Sequence, residues 1–258
     1  MAAGSAVHLN GGSYYSSVGF PMCVCGGTLD INGQSFITNN RTTTSEGAGV
    51  YVGSGATVNV MDDVYVAGNT KGSVRSNVYL PDVASVINID KENGLSPISL
   101  IGVTKDAFPE GMSFTPIAFS SVQNNSEDAF NQGFFFDDQS IYAVYYDPND
   151  NILSGNDIYF AKTWVTEVTS KPSGWSLSNI NEPEDLAWLI SYVNGYNGSI
   201  PHPSAVATVT DDLDMNRCIW VPIGDATNNF KGVFDGGGYD ITAAAPRSTR
   251  VPSTAMVM

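Results

Sequence analysis

The chain has 258 residues and carries 11 Lys plus Arg against 26 Asp plus Glu, a formal charge of −15. That length allows one large or two modest domains with a sizeable core. So few cations exclude the phosphate-neutralising surface of a nucleic-acid binder and disfavour attraction to anionic membrane. A charged fraction of only 14% with 26 Gly and 12 Tyr fits strands and turns better than helices or disorder, so an all-β chain is expected.

The first strand-like segment is Ala6-Val7-His8-Leu9-Asn10, which starts so near the first residue that the chain reads as a piece of a longer protein. Met-Ala-Ala-Gly-Ser lacks the basic and apolar regions of an export signal. No apolar run reaches the ~20 residues of a membrane span, so no membrane insertion is expected. Cys23, Cys25 and Cys218 make neither a disulfide framework nor a zinc site, because Cys-x-Cys lacks the usual two-residue gap and no second pair follows. Two residues apart on a strand, Cys23 and Cys25 share one face, with a metal or redox role as the other reading.

From Cys23 onward, three strand patterns recur. Cys23-Val24-Cys25, Val50-Tyr51-Val52 and Val78-Tyr79-Leu80 form one series, with first residues 27 and then 28 apart. Thr28-Leu29-Asp30-Ile31, Thr57-Val58-Asn59-Val60 and Val86-Ile87-Asn88-Ile89 form a second, at steps of 29. A third pairs the segment from Phe36 to Asn40 with that from Val64 to Asn69, offset by 28, and continues less regularly at Leu100-Ile101-Gly102-Val103. A period near 28 divided among three strands and three turns is solved physically by a coil in which each strand pairs with its equivalent one circuit away. The expected fold is therefore a parallel β-helix. Leu29, Val58 and Ile87 form one inward column, Ile31, Val60 and Ile89 another, while Asp30, Asn59 and Asn88 face solvent. On this register Val58→Asp unfolds neighbouring coils, whereas Asn59→Asp costs about 0.5 kcal/mol or less. Asn40 and Asn69 end equivalent strands and are expected to stack as an amide ladder, with carbohydrate contact as the other reading. Gly26-Gly27, Gly47-Ala48-Gly49 and Gly53-Ser54-Gly55 suit the corners.

Gly27-Thr28-Leu29-Asp30-Ile31, Phe36-Ile37-Thr38-Asn39-Asn40, Gly47-Ala48-Gly49-Val50-Tyr51-Val52 and Ala67-Gly68-Asn69-Thr70 together resemble the coils of bacterial surface adhesins with right-handed β-helices, including polymorphic outer-membrane-type repeats. The resemblance covers roughly residues 6 to 104. The polar insert Arg41 to Glu46 and the fading periodicity after Val103 depart from it.

From Lys105 to about Tyr146 aromatic-rich segments, Phe134-Phe135-Phe136 and Ile141 to Tyr146, are expected as strands that cover the coil end, since a solenoid must hide its last apolar turn and edge. Exposed aromatics that stack on sugars are the other reading. Asp147, Asn149 and Asn151 match the first positions of a calcium loop, but Ile152 and Ile158 occupy its glycine and bidentate positions, so a polar turn is expected instead. Lys171-Pro172-Ser173-Gly174 reads as linker, with a boundary near 170. The expected organisation is 1–104 coils, 105–170 cap and linker, and 171–258 a second module.

Pro183 to Gly195 carries Leu186, Leu189, Ile190 and Val193 at helical spacing, with Pro183, Glu184 and Asp185 suited to the first turn and Gly195 to the stop. Short strands are expected at Ala205 to Thr210, Ile219 to Gly224 and Phe230 to Ile241. A helix ending in Asn-Gly, then Trp220-Val221-Pro222-Ile223-Gly224, then Phe230-Lys231-Gly232-Val233-Phe234-Asp235-Gly236-Gly237-Gly238-Tyr239-Asp240-Ile241, resembles the start of a β-helical module in gut-bacterial surface proteins that continue into GLUG repeats. The resemblance implies that the helix caps this second solenoid. Residues 243–258 depart from it and are expected to form a mobile tail.

No catalytic, metal or cofactor residues are assigned. Asp62 with Asp63, and Asp211 with Asp212 and Asp214, supply acids in turn-like segments of different modules, and His8 and His202 are isolated. The resemblance implies a non-catalytic, extracellular or cell-surface adhesin-like module that presents an elongated solenoid to a glycan, a host protein or a neighbouring cell, or acts as a stalk. The competing expectation is a polysaccharide lyase or glycoside hydrolase, which needs carboxylates converging on one groove.

Overall fold

The structure, a computed structural model, describes residues 5–15, 22–108, 113–139, 142–148, 154, 156–215, 218–225, 227–242 and 249–250. It is broadly all-β, mostly strand with three helices among the described residues. Two compact units divide it: Met1–Ser140, Val144–Phe160 and Ser248–Arg250 form the first, and Ile141–Ala143, Ala161–Arg247 and Val251–Met258 the second.

In the first unit, strand segments far apart in sequence pair in parallel as three stacks. Leu29 lies opposite Val58 and Val58 opposite Ile87, with Ile31, Val60 and Ile89 in register beside them. These six are at most 3% exposed, so the expected aliphatic columns are formed. Burying each such side chain contributes about 1.5–3 kcal/mol. The second stack joins Met22–Val24, Val50–Val52, Val78–Leu80 and the end of Leu100–Lys105. The third joins the end of Gly27–Thr38 to Val64–Ala67, the start of Leu100–Lys105, and Phe135–Asp137. Val144 and Tyr145 pair antiparallel with Arg250 and Thr249, so the long sheet is mixed and open.

Two registers differ from the sequence reading by one residue. Cys23 lies opposite Tyr51 rather than Val50, and Phe36 opposite Tyr65 rather than Val64. Side chains alternate faces along a strand, so the register that buries Val24 with Val52, and Ile37 with Val66, wins over the one that merely aligns first residues. Cys23 and Cys25 share a face as expected but are joined as a disulfide, which the sequence reading did not assign.

Two expectations for the middle segment are corrected. Gln123–Gln132 forms a helix, α1, that the reading of 105–146 as strands missed. Its buried residues are only Ser126, Ala129 and Phe130, too polar a stripe to register as apolar periodicity, and Gly133 closes it in the left-handed region. Phe134, Phe135, Tyr145 and Tyr146 are all buried, so they are not exposed platforms for sugars. Asn149 to Asn151, on which the calcium comparison turned, and most of the tail expected to be mobile lie outside the described residues.

In the second unit a one-turn helix, α2 (Trp164–Glu167), is capped by Thr163. The expected helix, α3 (Pro183–Asn194), has Pro183 in its first turn and Gly195 at φ 79° as its cap. Leu186, Leu189, Ile190 and Val193 are fully buried, and α3 packs with Trp164, Ala205, Ala207, Val209, Leu213, Met215 and the buried Cys218. Val206–Thr208 pairs in parallel with Val233–Asp235, and Leu213–Asp214 with Ile241–Thr242. The strand expected from Ile219 to Gly224 is reduced to one bridge, Ile219 to Thr163, because Pro222 has no N–H to donate to a ladder.

Candidate functional site

Outside the aliphatic columns, the first unit buries a line of polar side chains. The Asn40 amide donates to Asn69 Oδ1 at 2.9 Å, the Asn69 amide to Asn77 Oδ1 at 2.9 Å, and the Asn77 amide to Asp138 Oδ1. Each step is doubled by a backbone N–H: Asn40 N to Asn69 Oδ1 (3.0 Å), Asn69 N to Asn77 Oδ1 (2.9 Å), and Asn77 N to Asp138 Oδ2 (2.6 Å). Asn39 and Gly68, both at positive φ, turn the chain just before Asn40 and Asn69, so the amides repeat at the same corner. The asparagine ladder expected from Asn40 and Asn69 is therefore present, extended by Asn77 and closed by Asp138.

A ladder of amides that each donate forward must end on an acceptor, and a carboxylate is acceptor-only. Asp138 takes three donors, the third being Thr104 Oγ1 at 3.0 Å. Burial nevertheless dominates and pushes its carboxyl up to about 6, against the lowering effect of those bonds. Gly102 makes the junction possible: a Cβ there would collide with the Asn77 amide, Asp138 Oδ1 and the Phe136 ring. Asp138 follows from none of the repeats, and nothing local in its sequence announces it.

Lys105 is a second buried polar residue, 2% exposed. Its Nζ donates to the carbonyls of Ser85 (2.7 Å) and Val83 (3.1 Å), so it holds the turn before Ile87–Ile89. Desolvation lowers its ammonium to about 8, opposed by the charge of Asp82. Enclosed and bonded to two backbone carbonyls, it ties the fold at this turn.

The outward chemistry of this unit gathers around Tyr51 and Tyr79. They lie opposite each other on adjacent strands, their rings stacked at 5.4 Å between centroids. Both are half-buried. The Tyr79 hydroxyl donates to Asp106 Oδ2 at 3.0 Å, and its phenol is pushed up to about 12, first by desolvation, then by Asp106, Glu46 and Tyr51. Glu46 is held by Lys71 and by Ser76 Oγ, which in turn accepts from Gly47 N. The Tyr51 hydroxyl has no hydrogen-bond partner among the described residues. Two phenols, two carboxylates and an ammonium thus share one face. Tyr51 and Tyr79 are legible as the middle residues of Val-Tyr-Val and Val-Tyr-Leu. Glu46, Lys71 and Asp106 lie in connecting segments with no repeat signal, and sequence reasoning missed them.

The structure does not bring the acids and histidines weighed from sequence together in one place. Asp62 sits at positive φ and bridges Leu95 through its backbone. Asp211 Oδ1 accepts from Asp212 N, and Asp212 Oδ1 from Asp240 N at 2.9 Å. His8 is not isolated but lies 2.7 Å from Asp30, and Asn59 and Asn88 continue that half-exposed outer line by amide hydrogen bonds. His202 stacks on Tyr192 at 4.0 Å. Among the described residues no group of three His, Cys, Asp or Glu is placed to hold a metal ion, and no helix is long and apolar enough to cross a membrane.

In the second unit the motif residues have packing roles. Asn194, 3% exposed, donates to Pro222 O (3.0 Å) and accepts from Gly224 N (2.7 Å), tying the end of α3 to the Trp220–Gly224 turn. A Cβ at Gly232 would run into the Ala205 carbonyl, so the Phe230-Lys231-Gly232 spacing permits the backbone approach that seats the next strand.

No protein-family model, no curated protein and no solved structure matches the chain.

Proposed function

We propose that the first unit is a right-handed parallel β-helix, and that the chain is a non-catalytic, extracellular or cell-surface module whose repeating exterior makes contacts with a glycan, a host protein or a neighbouring cell. The observation that carries this reading is the in-register parallel stacking of Leu29, Val58 and Ile87 with their neighbours, one residue per repeat. Such a column takes core packing off the alternate, outward residues, which is the physical basis of a contact surface. The hand follows from the strong preference of parallel crossover connections. The second unit supports the same reading: α3 covers the apolar side of a first rung, Val206–Thr208 and Leu213–Asp214, on which one further rung is paired. Its cell-surface setting rests on the resemblance of the two sets of motifs to bacterial adhesin-like and GLUG-type surface proteins.

The reading is tested with the purified chain, fluorescently labelled, on glycan arrays and on whole bacterial and epithelial cells. Saturable binding supports contact, and absence of binding to every surface leaves the stalk role. The lyase or hydrolase alternative is tested on the same polysaccharides: release of reducing ends or unsaturated uronates would replace the contact reading with an enzymatic one.

A further inference from the structure

Tyr51 and Tyr79 are the middle residues of buried-flanked strands, so their backbones are fixed by the inward columns on either side of them. Because the rings stack on each other, they present hydroxyls and edges as well as apolar surface. The groups around them are complementary in kind. The Tyr51 hydroxyl is an open donor, Asp106 is exposed with Oδ1 unengaged by Tyr79, and Lys71 and Glu46 lie beside Ser76 with side chains 36% and 33% exposed. Donors and acceptors therefore surround a pair of half-buried aromatic rings. Vicinal hydroxyls, each both donor and acceptor, fit that arrangement, and the C–H groups of a sugar ring fit the apolar edges of the two phenols.

Charge decides between classes of ligand. A chain at −15 repels polyanions such as uronates or sulfated glycans. Against a cationic ligand, Lys71 already neutralises Glu46, which leaves Asp106, hydrogen-bonded by the Tyr79 hydroxyl, as the single uncompensated carboxylate of this group. Resting on the contact reading above, we infer that the face of Tyr51, Tyr79, Asp106, Glu46 and Lys71 binds an uncharged glycan, with the tyrosine pair as its apolar contact and Asp106 as the acceptor that fixes a sugar hydroxyl.

The test is calorimetric titration of the full chain with a soluble uncharged glucan, an uncharged mannan, polygalacturonate and a lysine-rich peptide. The variants are Tyr51→Phe, Tyr79→Phe and Asp106→Asn, each checked for an unchanged melting temperature; none of these changes disturbs the inward columns. Binding of an uncharged glycan, weakened tenfold or more by Asp106→Asn and by at least one Tyr→Phe change, is the expected result. Equal affinity of all three variants for a glycan that the wild type binds would overturn the site while leaving the contact reading standing. Preference for polygalacturonate or for the peptide would overturn the ligand class. No binding to any of the four overturns the inference, and the cell-surface assay then decides the contact reading separately.

Discussion

Gly102→Ala places a methyl group where the amide ladder meets its terminal carboxylate. The added Cβ would sit 2.6 Å from Phe136 Cζ and closer still to the Asn77 amide nitrogen and Asp138 Oδ1. Gly102 is not at positive φ, so the cost is collision rather than backbone strain. Overpacking of this kind costs about 1–3 kcal/mol. Moving Asn77 or Asp138 aside also breaks a buried hydrogen bond to a charged group, about 1–3 kcal/mol more. The expected loss is roughly 2–6 kcal/mol, measured by urea unfolding followed by far-UV circular dichroism. Gly236→Ala, where a Cβ meets nothing, is the control and should stay within about 0.5 kcal/mol of wild type. The Asn77→Ala background should absorb part of the Gly102→Ala cost, as a double-mutant cycle shows for groups in contact. A Gly102→Ala protein within 1 kcal/mol of wild type, by the same approximate measure, would refute the close approach at the junction.

Asp138 also sets a pH dependence. Its folded pKa, about 6, lies above the 3.8 of an unperturbed carboxyl, so the folded state holds the proton more tightly. This contribution favours folding at low pH and is lost as pH rises through about 6; it amounts to ~2 kcal/mol between pH 4 and 7. The difference in stability between wild type and Asp138→Asn should change across that window, and a constant difference would remove the titration from Asp138. Val58→Asp should cost about 4 kcal/mol or more by burying a charge among aliphatics. Asn59→Asp, expected from sequence to be nearly silent, should instead cost about 1–2 kcal/mol. Asn59 donates to Asp30 Oδ1 at 2.6 Å, and the substitution sets two carboxylates side by side; thermal melts of both variants check the order. Asn194→Ala should cost about 2–4 kcal/mol by leaving Pro222 O and Gly224 N without their partner, with hydrogen exchange fastest to rise at Gly224.

The local periods were legible from the residue order alone. Alternation in Leu29-Asp30-Ile31 and its repeats sets which side chains are buried, because a strand has only two faces, and recurrence at one spacing leaves parallel stacking as the way to bury all three copies. The α3 boundaries were equally legible, since Pro183 and Gly195 act within one turn of themselves. Tertiary structure decided what depends on partners distant in the chain. The one-residue registers of Cys23 and Phe36 were settled by which neighbours Val24 and Ile37 could be buried against. Helix α1 forms from a polar segment because Ala129 and Phe130 find a buried place. Asp138 closes an amide ladder begun nearly a hundred residues earlier, and Asp106 meets Tyr79, through contacts that no repeat encodes. Side-chain periodicity is a property of each strand alone, whereas a hydrogen-bond partner exists only once the chain has folded back on itself.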